Sequence, residues 1–320
     1  MKKTIDVIVP VYRPDRKLEQ LLYRLSRQSL EIRNIILMHT QDGCGLEWAM
    51  EKYPNIIVKD ILPEDFDHGG TRDEGIRMSD ADVIVCMTQD AVPADENLIA
   101  ELTEKLGEDG IAAAYARQLP GEDCDILERY TRRFNYPPES LVKSSADLER
   151  LGIKTYFCSN VCAAYCREIY CELGGFESGT IFNEDMIYAA KLIKSGYSIA
   201  YCAKARVIHS HNYTNFQQFQ RNFDMAVSQA DHPEIFKGVK SETEGMRLVK
   251  KTAGYLFRSG HPFRLFSLFL KSGAKYAGYQ AGLHYRLLPC RIVKKCTMNP
   301  RYWVKCKKPD ENVEISHKMG

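Results

Sequence analysis

The sequence predicts an α/β protein: a Rossmann-like, mostly parallel sheet flanked by helices, followed by a helical, basic appendage. Two observations predict the sheet. Apolar runs alternate with stretches of helical periodicity through the first 118 residues, and the runs are near-continuous in apolar residues. Strands covered by helices on both faces read that way, whereas strands with one wet face alternate. A third observation predicts the appendage: from Thr214 onward the pattern is mainly helical, and it becomes strongly basic. The 320 residues, with 44% hydrophobic and 27% charged, suit one large domain plus that region. We place the division at 1–235 and 236–320.

The elements follow in order. "TIDVIVPVY", from Thr4, is a strand. "DRKLEQLLYRLSRQS" is a helix with Leu18, Leu21, Leu22 and Leu25 on one side. "NIILMHT" is a strand, "LEWAMEKY" a short helix and "NIIVKDI" a third strand. A glycine-containing loop then opens a helix through about Met78. "ADVIVCMT" is a strand, "DENLIAELTEKL" a helix and "GIAAAYAR" a fifth strand. Residues 118–157 are less regular and suit a mobile cover. A loop at Gly174–Thr180, a helix from about Asn183 to Ser195 and a strand around Ser198–His209 come next.

The net charge of +2 hides an asymmetry. From Arg247 to Lys308 there are fifteen Lys or Arg and no Asp or Glu, so the remainder carries −13. A block of this kind meets an anionic surface or forms a packed, solvated basic face. No nucleic-acid-binding motif accompanies it, so nucleic acid is not an expected partner. No secretory leader or transmembrane helix is evident; "PFRLFSLFLKSGAKYAGYQAGL" is broken by Arg264, Lys271 and Lys275. The eleven cysteines are scattered, so reduced thiols in a cytoplasmic protein are expected. Cys158, Cys162 and Cys166 fall four apart, a helical spacing that suits small buried side chains better than a metal site.

Four stretches could carry chemistry, and in open α/β sheets such stretches matter at the carboxyl ends of strands. In "FDHGGTRDEG", glycines allow close approach of backbone N–H groups to a ligand; equally, Thr71 can cap a helix whose first turn holds Asp73 and Glu74. The Gly-Lys-Ser/Thr ending of a Walker loop is missing. In "TQDAVP", Asp90 follows a strand and fits either a ligand of a phosphate-bound divalent cation or a turn. In "FNEDMIYAAKL", Glu184 and Asp185 fit either a general base or the dipole of a helix N-terminus. In "VIHSHNY", His209 and His211 share a strand face; a single His joining Asp90 on a cation is preferred to a two-His zinc site lacking a third ligand.

The order of these stretches resembles the family 2 glycosyltransferases of GT-A fold, and within them the rhamnosyltransferase subgroup, over roughly residues 4–235. "VIVPVYRPD" resembles the opening nucleotide-binding strand, "HGGTRDEG" the HGGTRN loop, and "TQDAVP" a version of the DxD motif. "NEDMIYAAKLIKSGYSIAYCAKARVIHSH" resembles the ED-helix and its downstream histidine, and is the most specific match. The resemblance implies that Pro10, Val11, Tyr12, Asp42, Gly70, Gln89 and Asn160 bind the nucleotide sugar, with Asn160 near a sugar. It implies that Arg72 approaches the diphosphate or the sugar, and that Asp90 and His209 hold Mg²⁺ or Mn²⁺. Asp185 is then the catalytic base, with Glu184 beside it.

The implied reaction is inverting transfer of a sugar, rhamnose from dTDP-L-rhamnose or another hexose from a UDP or dTDP donor, to a saccharide acceptor carried on a lipid. The implied setting is the inner face of the membrane, with cell-surface polysaccharide as the product. The basic appendage would lie on anionic lipid or join copies of the chain. A sugar nucleotidyltransferase is the rival enzyme, and a silent sugar-binding protein the rival outside catalysis. Three departures stand out: Thr88 replaces the first acid of DxD, "MHTQDG" stands where an acid often follows the second strand, and Asp73 replaces Asn. "QFQRN" resembles the QxxRW of processive synthases but lacks the tryptophan, which speaks against processive polymerisation.

Overall fold

The computed structural model describes residues 3–237 and 242–305, so the expected appendage is seen up to 305, while 238–241 and 306–320 lie outside the described residues. The strands are β1 (Ile5–Val11), β2 (Asn34–Thr40), β3 (Ile56–Ile61), β4 (Val83–Met87), β5 (Val92–Pro93), β6 (Ile111–Leu119), β7 (Leu141–Lys143), β8 (Cys162–Cys166) and β9 (Ser198–Ile208). Between them run α1 (Arg16–Leu25), α2 (Glu47–Lys52), α3 (His68–Arg77), α4 (Leu98–Thr103), α5 (Ile126–Asn135), α6 (Leu148–Leu151), α7 (Arg167–Glu172) and α8 (Glu184–Lys194). After β9 come α9 (Asn215–Asp231), α10 (Pro233–Phe236), α11 (Glu242–Arg258), α12 (Arg264–Leu283), α13 (Cys290–Cys296) and α14 (Tyr302–Lys305).

The strands form one sheet in the order β3-β2-β1-β4-β8-β6-β9-β5, with β7 also paired to β9. β1, β2, β3 and β4 pair in parallel, as do β6 and β9. β8 lies antiparallel between β4 and β6, so β6 and β9 keep the direction of the first four strands. The short β5 and β7 also run against β9. Alternation along each strand sorts the core into two layers. Val7, Val9, Ile35, Leu37, Cys162 and Ala164 lie in the layer that holds α1, whose Leu18, Leu21, Leu22 and Leu25 are all buried. Ile8, Ile36, Met38, Ala163 and Tyr165 face the other way, against Ile76 of α3 and Ile187, Tyr188, Leu192 and Ile193 of α8.

Two expectations are corrected. Cys162 and Cys166 stand on strand β8, not on a helix. A spacing of four is an even number as well as a helical one, so it cannot separate the two. The less regular stretch 118–157 does hold a helix: Asp125 caps α5 by accepting from Leu127 and Glu128 N–H, at 2.8 and 3.0 Å. The helix of the glycine stretch starts at His68, earlier than expected, and Asp67 is its cap.

The C-terminal helices pack onto the sheet domain. α12 meets α9 where Gly278 and Gly282 face it; a Cβ at either would lie 2.1 Å from Phe219 O or 2.3 Å from Phe223 O. Glycines four apart let two helix backbones touch along one face. Leu256 of α11 and Leu268 of α12 close on Leu127 of α5. Phe223 and Val227 meet Val293 and Trp303.

Candidate active site

At one edge of the sheet the carboxyl ends of β1, β2, β4, β6 and β9 meet the start of the reversed strand β8. Each expected site residue is found there or just behind it.

The first group surrounds the end of β1. Val11 is buried and Tyr12 partly exposed. Gln89, after β4, grips the Tyr12 backbone twice: its Oε1 accepts from Tyr12 N at 2.8 Å, and its Nε2 donates to Tyr12 O at 3.0 Å. Asp42, after β2, accepts from the backbone N–H of Arg13 and, at 2.8 Å, of Cys44. These bonds outweigh its desolvation and hold its carboxyl below the usual range. Arg13 takes φ +51°, so the chain turns sharply after Pro10, Val11 and Tyr12. The side chains of Gln89 and Asp42 are therefore occupied in shaping this turn.

The glycine stretch is neither a cradle nor a plain turn. Gly70 N–H is taken by Asp67 Oδ1 at 2.5 Å, and Thr71 N–H by Asp67 O at 2.9 Å, so these donors are not free for a phosphate. A Cβ on Gly69 would lie 2.1 Å from Glu177 O, so that glycine permits close packing against the loop before α8. Asp73 turns away to Arg77 and to Tyr170 OH, at 2.6 and 2.9 Å, and Glu74 lies 3.5 Å from Lys59. Arg72, only 5% exposed, points at Glu184, with Nη1 3.1 Å from Oε1 and 2.8 Å from His68 O. Arg72 is thus held in a buried ion pair with Glu184.

α8 starts at Asn183, whose φ of +65° is rare for a side-chain-bearing residue and whose Nδ2 donates to Met225 O at 3.2 Å. That turn presents Glu184 and Asp185 to Asn160, which precedes β8. Asn160 N donates to Asp185 Oδ2 at 3.0 Å, and its Nδ2 to Glu184 Oε1 at 3.2 Å. Its own Oδ1 accepts from Tyr165 OH at 2.8 Å. Asn160 is buried and braces both acids. Although Glu184 is desolvated, Arg72, His68 and Asn160 hold its carboxyl down in the ionised state. Asp185 has the opposite fate: burial and the charge of Glu184 push it up to about 7. Two adjacent carboxylates with separated acidities are a familiar way to make one acid a proton acceptor near neutral pH.

The third group is Asp90, His209 and His211, whose ligand atoms all lie within 4.8 Å of one another. Asp90 Oδ2 is 3.5 Å from His209 Nε2 and 3.3 Å from His211 Nε2, and the two Nε2 atoms are 3.0 Å apart. Burial is the main cause lowering the pKa of both rings and keeping them neutral, helped for His209 by His211 and opposed for His211 by Asp90. Gln118, at the end of β6, has Oε1 3.1 Å from His209 Nδ1. That contact suits an N–H at Nδ1 and leaves the Nε2 lone pair facing Asp90. Two nitrogens and a carboxylate oxygen converging this closely fit a divalent cation, and imidazole ligands favour Mn²⁺ over the oxygen-seeking Mg²⁺.

The sequence reading joins only one histidine to Asp90; the structure brings His211 to the same point, and the His-x-His spacing is the signal for it. Gln118 and Ser159, joined at 3.1 Å, went unnoticed, and they link the histidine group to the Asn160 segment. A set of cations was also unforeseen. Arg132, Arg221 and Lys17 act on both histidines, and Arg132 bonds Gln118 Oε1. Arg221 lies over Phe182 and Tyr213, and Tyr213 stacks on His211. Lys275 of α12 lies within electrostatic reach of Arg132, Arg221 and Glu128, yet makes no ion pair among the described residues.

At this sheet edge three side chains that could hold a divalent cation lie beside a carboxyl raised toward neutrality, an arrangement suited to acid–base chemistry. The comparisons narrow the class. Residues 6–174 match the model of Glycosyl transferase family 2, and the chain belongs to that family. It is 40% identical over 303 residues to O-antigen chain rhamnosyltransferase RfbN of Salmonella typhimurium, covering 93% of this chain and 96% of that one. It is 37% identical over 302 residues to O-antigen chain rhamnosyltransferase WbaN of Salmonella anatum, covering 93% and 95%. Among solved structures it resembles the mannosyltransferase PcManGT from Pyrobaculum calidifontis in complex with GDP-Man and Mn²⁺. That match has TM-score 0.56 and 15% identity, over 95% of this chain and 86% of that one. It also resembles S. aureus TarS 1–349 in complex with UDP-GlcNAc, with TM-score 0.52 and 12% identity, over 89% and 92%. The expected GT-A fold stands, and the chain is a glycosyltransferase.

Proposed function

We propose that this glycosyltransferase moves L-rhamnose from dTDP-L-rhamnose to a saccharide acceptor carried on a lipid, in the synthesis of a cell-surface polysaccharide. The choice of sugar and product is supported by the names of the two Salmonella relatives, the choice of a nucleotide-sugar donor by the ligands of PcManGT and TarS. The observation that carries the chemistry is Asp185, a carboxyl pushed up to about 7 beside an ionised neighbour.

Asp185 takes the proton of an acceptor hydroxyl as that oxygen attacks the anomeric carbon. The bond to the nucleoside diphosphate breaks on the opposite face, and the sugar's configuration inverts. Glu184 stays ionised through Arg72 and Asn160, and its charge keeps Asp185 basic. Pro10, Val11, Tyr12, Asp42 and Gln89 shape the nucleoside end. Gly70 and Arg72 serve that donor site from behind, through the α3 start and the Glu184 pair. Asp90, His209 and His211 would hold Mn²⁺ or Mg²⁺. The chemistry such an ion supplies is neutralisation of charge on the departing diphosphate. Arg221 and Lys275 face the same charge.

Residues 1–235 form the catalytic domain on this reading, and 236–320 a helical region that meets the anionic inner face of the membrane or a second copy. Among the described residues no helix is long and apolar enough to cross a membrane. A donor panel tests the reading: purified protein with Mn²⁺ or Mg²⁺ is given dTDP-L-rhamnose, UDP-glucose, UDP-galactose and UDP-N-acetylglucosamine. Nucleoside diphosphate release from dTDP-L-rhamnose alone, lost in Asp185→Asn, is the expected result. Release from another donor overturns the sugar; no release and no donor binding overturns the site.

A further inference from the structure

The turn joining α11 to α12 carries an aromatic surface that nothing in the described structure covers. Phe257 is 65% exposed, Phe263 93%, Phe266 71% and Phe269 63%, and Leu270 beside them is also exposed. Soluble surfaces scatter such side chains singly; here they gather in the short span 257–270 around one turn. Their placement on α12 is one-sided. Phe266 lies three residues from the capping Phe263 and from Phe269, and four from Leu270, so the four share a face. The opposite face holds Leu268, packed against α5, Lys271, whose Nζ is 2.6 Å from Asp125 Oδ2, and Gly278 and Gly282 against α9. The inward contacts fix the helix, so the aromatic face cannot turn in to bury itself.

The charge around this face is of one sign. Arg258 and Arg264 flank the turn, both exposed, and the sequence from 247 to 308 contains fifteen basic and no acidic residues. Phenylalanines flanked by two arginines fit the headgroup–acyl boundary of an anionic bilayer, where rings enter the apolar edge and guanidinium groups meet phosphate. A second copy of the chain is the poorer fit, because pairing would bring two acid-free basic faces together.

We infer that the α11–α12 turn is a membrane wedge: Phe257, Phe263, Phe266 and Phe269 insert into the interface of an anionic bilayer, with Arg258 and Arg264 at the headgroups. The proposed function supplies its purpose, delivery of the site to a lipid-carried acceptor, and the wedge rests on that reading for nothing else.

The test is cosedimentation of the full chain with vesicles of phosphatidylethanolamine and phosphatidylglycerol, beside vesicles of phosphatidylcholine alone. Wild type is compared with the triple variant Phe263→Ser, Phe266→Ser, Phe269→Ser. The expected result is binding to the anionic vesicles only, weakened at least about tenfold in the triple variant. A second variant, Phe266→Trp, should show indole emission quenched by bromine-labelled lipid chains. Equal binding of wild type and triple variant, absence of binding by wild type, or an unquenched indole overturns the wedge. So does a triple variant whose only change is loss of self-association in sedimentation velocity, which would assign the face to a second copy. Donor turnover with a water-soluble acceptor, measured on both proteins, separates this from the proposed function: it persists if only the wedge is wrong.

Discussion

The backbone N–H of Asn160 and Oδ2 of Asp185 lie 3.0 Å apart, across the gap between the start of β8 and the start of α8. This bond orients the acid whose basicity Glu184 raises. Asp185 must be deprotonated to act, so kcat/KM should rise with pH through about 7 and then level, with unit slope on the acid limb. Asp185→Asn should lower kcat by roughly 10²–10⁴ while leaving the dissociation constant for dTDP almost unchanged. A pH–rate profile centred near the ordinary carboxylate range would remove Asp185 as the base.

Arg72→Met should destabilise the fold by about 3–5 kcal/mol, because Glu184 would stay buried without its cation. The pair Arg72→Met with Glu184→Gln should recover part of that loss. Urea midpoints of the four proteins of this cycle measure it; additive losses would mean that the pair is not coupled.

Mn²⁺ binding, followed by electron paramagnetic resonance of the free ion, should fall to background in Asp90→Asn and His211→Ala. It should weaken by roughly 10–100-fold in Gln118→Leu, which removes only the partner of His209 Nδ1. Unchanged affinity in His211→Ala would return His211 to a structural role.

Lys275→Met should raise the dissociation constant for dTDP by about tenfold, the order expected for losing one charge-assisted contact. Calorimetry measures it, and an unchanged constant would place Lys275 outside the anion's reach.

Asp224 offers a stability test apart from the chemistry. Its Oδ2 accepts from Met298 N at 2.8 Å, and burial, only partly offset by Thr297 and Met298, pushes the carboxyl up to about 6. A carboxyl raised in the folded state favours folding when protonated. That contribution is complete below the unfolded value near 3.8 and is lost as pH rises through about 6. Asp224→Asn should therefore be more stable than wild type by about 2–3 kcal/mol at pH 7. The difference should vanish near pH 4. Urea unfolding at several pH values reads it, and a constant difference would refute it.

The parallel half of the fold was legible because each strand there is a continuous apolar run closed by a helix with a clear stripe, as Leu18, Leu21, Leu22 and Leu25 show. β8 was not, because "CAAYC" is short, small and compatible with either period. The resemblance named Asp90, Glu184, Asp185 and His209 as candidates, and the structure brings Asp90 and His209 together and sets Glu184 beside Asp185. Their couplings were not legible. Nothing local tells that Arg72 turns to a glutamate 112 positions on, or that Lys275 reaches back from the appendage toward Arg132. Such pairings depend on which strand ends become neighbours, a property of topology that periodicity does not encode.

The glycine seam between α9 and α12 has a consequence for synthesis. The backbones of Phe219 and Phe223 wait for partners roughly sixty residues downstream, several seconds of translation at ordinary elongation rates. Until Gly278 and Gly282 leave the ribosome, the nascent chain already holds its acids and histidines but displays a bare helix flank carrying Phe219 and Phe223. A bulkier side chain at either glycine would make that interim state permanent, so its first symptom should be chaperone retention and poor yield rather than a slow enzyme.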